Sequence, residues 1–331
     1  MLILIAIILG TLTPTLIYSF LVWWIDRYEK EPIWLLIISF FWGAIPAVVL
    51  SLIFEILFEM PIVSIAGDTI VSSLLSASVS APIIEESFKA LALILLVLIF
   101  HKEFDDELDG IVYGAMIGFG FALTENIFYF FSVLSEQGLG AGLVNIFMRS
   151  FIFGLNHAFW TACVGASIGF ARLSRKISAR IFVPFAGWMI AITLHGIHNG
   201  GIVLVESTYC LSFISSFILN WGGMVLLFIL GFFVLRRESR WIRENLLEEV
   251  KKGVIKPEIY DIMSSSPRRM AYRWKILKVK GTKRYREIGR YFQLATDLAF
   301  KKHQGDIDCL KPETLNEIRS KLKRLSKLFD P

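Results

Sequence analysis

Two adjacent carboxylates and a lysine, Glu85, Glu86 and Lys89, stand in a stretch that is otherwise apolar from about Val71 to Phe100. An ionised group at bilayer depth costs roughly 2.5–3.5 kcal/mol on insertion scales, so such groups rarely persist without a task. Glu85 and Lys89 are four residues apart and share a helix face, which lets them partly neutralise each other. Glu86 points about 100° away, and the spacing predicts no local partner for it. Pro82 removes one backbone hydrogen bond and weakens the helix just before the carboxylates. A purely structural ion pair would leave Glu86 unexplained. Two chemistries use such groups. A carboxylate can act as general base on a water attacking a peptide carbonyl, with imidazole and amide donors holding the oxyanion. Alternatively, the groups relay protons or ions in a transporter.

Further residues suited to this work lie at matched depth. Glu85, Glu125, His157 and His195 each fall 14 or 15 residues from the same end of their apolar runs. At 1.5 Å per residue this is roughly 21–27 Å, one layer beyond the midplane of a core about 30 Å thick. Asn199 follows His195 by one turn on the same face, whereas His198 lies off it. Gly114, Gly118, Phe121 and Glu125 form one helical stripe whose glycines admit a neighbouring backbone. Asn126 is placed to hydrogen-bond a buried acid, and Arg149, two turns before His157, either snorkels outward or pairs with a carboxylate. Glu85, Glu125, His157 and His195 also have the donor chemistry for a divalent metal such as zinc. The spacing is not HExxH, so metal-dependent and metal-free mechanisms both stay open.

These side chains need a scaffold of helices in lipid. The 331 residues are 55% hydrophobic, with a mean hydropathy of +0.61, and contain repeated long apolar runs. That pattern predicts an all-α polytopic membrane protein. Seven spans are expected, at about 2–25, 33–58, 72–100, 111–134, 143–171, 181–205 and 211–235. Met1–Ile25 lacks a basic leader and reads as a first span, not a cleaved signal. Loops 26–32, 101–110 and 172–180 carry Lys or Arg, whereas those near 60–70, 135–142 and 206–210 carry none. The positive-inside rule then puts the N-terminus outside and the C-terminus in the cytoplasm. Trp23, Trp24, Tyr28 and Trp34 are expected in an interfacial aromatic belt, and Glu55, Glu59 and Glu206 at the outer ends of their spans. Cys163, Cys210 and Cys309 fall in separate regions, so no disulfide framework is expected.

Charge divides the chain. Residues 236–331 carry 25 Lys/Arg against 13 Asp/Glu, while residues 1–235 carry 9 against 16. The expected organisation is a membrane domain over 1–235 and a basic helical cytosolic tail over 236–331. Helices are expected at Glu238–Lys252, Pro257–Met263, Thr282–His303 and Pro312–Phe329, with Gly281 and Gly305 as punctuation. The tail's basicity suits an anionic lipid surface, and no nucleic-acid partner is expected.

The ordered motifs resemble the PrsW family of intramembrane proteases, related to the CAAX prenyl endopeptidases and Abi proteins. The resemblance runs from Asp26-Arg27-Tyr28-Glu29-Lys30-Glu31-Pro32 through the EExxxK signature at Glu85, Glu86 and Lys89. It continues with Asp109–Gly114, Gly118–Ala122, Glu125-Asn126, Arg149, His157, and Leu194-His195-Gly196 with Asn199. It implies that Glu85 activates water with Glu86 beside it, and that His195 and Asn199 hold the oxyanion. The CAAX relatives carry FxxxH where this chain has Phe121 to Glu125, so the partner imidazole comes from elsewhere, and His157 is the candidate. The implied substrate is a single-pass membrane protein cut near the outer face, typically an anti-sigma factor. A non-catalytic scaffold on the same fold and a proton-coupled transporter are the rival readings.

Overall fold

In lipid, backbone amides and carbonyls must find partners within the chain, and long apolar runs do so as helices. The computed structural model describes residues 2–28, 30–304 and 312–329, and among them there are helices and no strands. Glu29, Gly305 and Cys309 lie outside the described residues. Helix α1 is Leu2–Ile25 and α2 is Ile33–Ala66. Helix α3 covers 70–99, as Ile70–Leu75, a wide π turn at Ser76–Ser80 and Ala81–Ile99. Helix α4 is Glu107–Glu136, and α5 is Gly138–Phe147 followed by a π turn at Met148–Ile152. Then come α6 (Asn156–Leu173), α7 (Ile177–Val203), α8 (Leu211–Lys251), α9 (Pro257–Met263), α10 (Ser266–Gln304) and α11 (Pro312–Ser326).

Six stretches are long and apolar enough to cross a membrane, with α5 and α6 together forming one of them. The expected span 72–100 is α3, whose Glu85, Glu86 and Lys89 set it apart from those six. The expected span 143–171 is not one helix. It breaks at Phe153–Leu155, directly before His157, so Arg149 and His157 sit on separate segments.

The chain divides into two compact units, one of Met1–Ile25 with Glu31–Gly231, the other of Asp26–Lys30 with Phe232–Pro331. In the first, α4 is the central element, packed on α1, α2 and α6. Its start is fixed by Asp106, whose side chain accepts from Leu108 N at 2.7 Å, while Asp109 accepts in return from Asp106 N at 2.9 Å. This reciprocal cap accounts for the aspartate of the Asp109-Gly110 motif, and the glycine lies against the Gly165 backbone. Beyond the cap, α4 meets α6 backbone to backbone. A Cβ on Gly114 would sit 2.5 Å from the Thr161 carbonyl oxygen, and one on Gly118 would collide with that of His157. Closeness of this kind is how helices associate where lipid offers no hydrophobic drive. Leu35, Leu93, Tyr113, Ile117 and Trp160 fill the core around it.

In the second unit, Ile288, Tyr291, Phe292, Ala295, Leu298 and Ala299 are all buried on one face of α10. Tyr28 joins that core and is not an interfacial belt residue; its hydroxyl accepts from Ser266 N at 3.0 Å. Helix α8 runs on past 235 to Lys251 without a break. Helix α10 is longer than expected, because an arm over 266–280 precedes Gly281. There the backbone turns through φ 78°, a conformation that favours glycine. The arms fold back on each other, with the Arg273 guanidinium 4.2 Å from the centre of the Tyr285 ring.

Candidate active site

The residues of the expected layer converge. Lys89 is fully buried, and its Nζ donates to Glu86 Oε1 at 2.8 Å and to Glu85 Oε2 at 3.1 Å. Glu86 therefore does have a local partner, one turn on at i+3, and holds it more closely than Glu85 does. The wide turn at Ser76–Ser80 lies directly ahead of this segment.

Two imidazoles flank the carboxylates. His195 Nδ1 lies 3.0 Å from Glu86 Oε1, and His157 Nδ1 lies 3.0 Å from Lys89 Nζ. An ammonium only donates, so Nδ1 of His157 is the acceptor and its Nε2 carries the proton. That Nε2 points at Glu125 Oε2, 2.7 Å away. In His195 the carboxylate of Glu86 calls for the proton on Nδ1, leaving Nε2 unprotonated in the neutral ring. His195 Nε2 and His157 Nδ1 are each 4.0 Å from Glu85 Oε2.

A second layer of contacts holds this arrangement. Arg149 pairs with Glu125 at 2.9 Å and donates to Asn126 Oδ1 at 2.7 Å. So Arg149 turns inward, and Asn126 serves it instead of a buried acid. Asn199 stands apart from the carboxylates. Its amide donates to the Ala77 carbonyl at 3.0 Å, in the wide turn before the glutamates. His198 faces α8, with Nδ1 3.2 Å from Ser216 Oγ.

Two participants were not singled out from sequence. Trp160 stacks flat on His195, with 4.0 Å between ring centres, and its indole donates to Asn220 at 2.7 Å. Thr161 Oγ1 lies 3.5 Å from Glu86 Oε2 and donates to the His157 carbonyl at 3.0 Å. Trp160 and Thr161 follow His157 by three and four residues, a helical spacing that offered a signal for both. Glu55 on α2 is half-buried. Glu59 and Glu206 are exposed.

One atom each from Glu85, Glu86, His157 and His195 can be chosen so that all lie within 4.8 Å of one another. Two carboxylates and two imidazoles match the preferences of a zinc-like ion. Lys89 Nζ already lies within 3.1 Å of three of these residues. Ammonium and divalent ion would thus draw on the same donors. A separate apolar groove, lined by Phe159, Cys163, Leu194, Gly222 and Leu226 among others, has no ionisable carboxylate or imidazole in its wall.

Fold and site together define a polytopic helical membrane protein with a buried acid–imidazole centre. Residues 31–235 match the model of a family described as PrsW family intramembrane metalloprotease. The chain belongs to this family of intramembrane proteases. Its relatives include Protease PrsW of Bacillus subtilis (strain 168), 29% identical over 229 residues, covering 67% of this chain and 89% of the relative. Protease PrsW of Clostridioides difficile (strain 630) is 32% identical over 186 residues, covering 56% of this chain and 74% of the relative. Protease PrsW of Geobacillus kaustophilus (strain HTA426) is 29% identical over 174 residues, covering 53% of this chain and 69% of the relative. No solved structure matches the chain.

Proposed function

We propose that the chain hydrolyses a peptide bond of a membrane-anchored protein by general-base chemistry at Glu85. The observation that carries this reading is the position of Glu85 between two imidazoles, its Oε2 4.0 Å from each. Glu86 Oε1 is engaged by both Lys89 and His195, and Thr161 Oγ1 lies 3.5 Å from its Oε2. Among the described residues Glu85 has one hydrogen-bond donor, Lys89, which uses its Oε2. Its other oxygen is available to a water.

In this reading Glu85 takes a proton from the attacking water and returns it to the leaving amine. Glu86 orients His195, and an imidazolium there, balanced by Glu86, stabilises the oxyanion. Asn199 supports that histidine's surroundings through Ala77 instead of touching the oxyanion. Glu125, held by Arg149, fixes the ring of His157. If a divalent metal such as zinc is bound, Glu85, Glu86, His157 and His195 would hold it, and it would supply Lewis-acid activation of water. Family membership favours proteolysis over the scaffold and transporter readings.

The substrate class we infer is a single-pass regulator such as an anti-sigma factor, cut at a first site near the outer face. The basic inner loops support an outside N-terminus and a cytoplasmic C-terminus. The basic segment from 236 onward is the cytosolic domain in this topology, and 1–235 the protease domain.

The test is Glu85→Gln in membranes that also hold a tagged single-pass anti-sigma factor. Fragment formation is expected to fall about 10²–10⁴-fold, with protein level and thermal melting unchanged. Undiminished cleavage would overturn the assignment of the base.

A further inference from the structure

The first arm of α10, residues 266–280, contains six basic residues (Arg268, Arg269, Arg273, Lys275, Lys278 and Lys280) and no acidic one. The arm is two-faced. Inward, Ile276 is buried in the core of the second unit, and Arg269 lies over the Tyr28 and Phe292 rings. Outward, Met270, Trp274 and Lys278 follow each other at four-residue steps and make one stripe. Met270 is 37% exposed, Trp274 54% and the neighbouring Val279 72%. Arg268 and Lys275 flank this stripe and are exposed too. Beyond the turn at Gly281, exposed Lys283 and Arg286 extend the positive surface. None of Arg268, Lys275, Lys278, Lys280, Lys283 and Arg286 forms a salt bridge among the described residues.

Unpaired cations around an exposed tryptophan and methionine are what a helix presents to the boundary between water and lipid. The indole settles at headgroup level, and lysine stems lie along apolar surface while their ammonium groups reach phosphate. We propose that this face of α10 docks on the anionic phospholipid surface of a bilayer. The cations alone would also suit a nucleic-acid backbone. Met270, next to Trp274 on the stripe itself, decides between the two, since an apolar side chain gains nothing from phosphates and gains burial in the acyl boundary. The inference does not depend on the catalytic reading.

The experiment uses the full chain in nanodiscs of phosphatidylcholine alone, or with about one-third phosphatidylglycerol. Limited trypsin digestion, read by mass spectrometry, follows cleavage after Lys275, Lys278 and Lys280, with cleavage after exposed Lys321 as the internal reference. The anionic discs are expected to slow cleavage of the arm at least about tenfold, and about 0.5 M salt to remove most of that protection. Trp274→Ala is expected to weaken the protection in anionic discs, as is Lys275→Gln with Lys278→Gln, which is read at the remaining site after Lys280. Equal rates in the two lipids would overturn the proposal. So would salt-resistant protection in phosphatidylcholine, which would mean that protein covers the face. Protection that appears only when an oligonucleotide is added would overturn it in favour of nucleic acid.

Discussion

Each unit contains a fully or almost fully buried carboxylate surrounded by cations, and the two are satisfied to different degrees. In the second unit Glu249 uses both oxygens. Arg319 reaches Oε2 at 2.9 Å and Oε1 at 2.7 Å, and Lys302 adds a bond to Oε1 at 3.0 Å. This cluster ties α8 to α10 and α11 and engages both carboxylate oxygens of Glu249 with cations. In the membrane unit Lys89 is shared between Glu85, Glu86 and His157, and among the described residues no donor engages Glu85 Oε1. A carboxylate gripped by cations at both oxygens acts as a strut, whereas one gripped at a single oxygen and fixed by its neighbours has the arrangement that the proposed base requires.

The strongest way to break this contrast is Lys89→Met. It strands two carboxylates in a low-dielectric layer and is expected to cost about 3–5 kcal/mol, read as a lowered melting temperature in detergent together with lost cleavage. The same variant sharpens the metal question. If a divalent ion competes with the ammonium, purified Lys89→Met will retain more metal than the unaltered protein, by elemental analysis. Arg319→Met should act only on the other cluster. It leaves Glu249 with Lys302, costs about 2 kcal/mol and speeds amide exchange around residues 245–249 and 318–322, with cleavage unchanged.

The smallest effect is expected at Tyr291, whose buried hydroxyl finds no hydrogen-bond partner among the described residues. Tyr291→Phe removes an unsatisfied group and should stabilise the second unit by about 1 kcal/mol. Burial pushes the Tyr291 hydroxyl from its ordinary 10 up to about 12. A folded value raised this way contributes stability that is complete below pH 10 and is lost as pH rises through 12. Amide exchange of residues 288–299 should therefore accelerate over that window in the unaltered protein, and less in the phenylalanine variant.

Much of the site was legible because helix geometry converts residue number into direction and depth. The EExxxK spacing gave the Glu85–Lys89 pair, matched distances from the span ends gave one layer, and the Gly114–Gly118 stripe gave close packing against α6. What escaped was local irregularity. The break at Phe153–Leu155 has a glycine as its only marker inside an apolar run, so Arg149 and His157 read as one helix. Tyr28 looked like a belt residue because nothing in its own segment shows that Ser266 and the tail core receive it. The arm over 266–280 was hidden by its charge, since a helix with so few inward apolar residues has little periodicity to read.

The wide turn at Ser76–Ser80 has a bearing on how the chain tolerates changes in length. A π turn is an α-helix with one residue too many, and one of its carbonyls consequently lacks an intrahelical amide; the Ala77 carbonyl receives the Asn199 side chain instead. Deleting a residue within 76–80 would close the turn to an ordinary helix and leave Glu85 and Glu86 aimed as before. The same deletion between Pro82 and Glu85 would swing both acids by about 100°. Single-residue gaps among functional homologues should accordingly gather in the serine-rich turn and avoid the four residues that follow it.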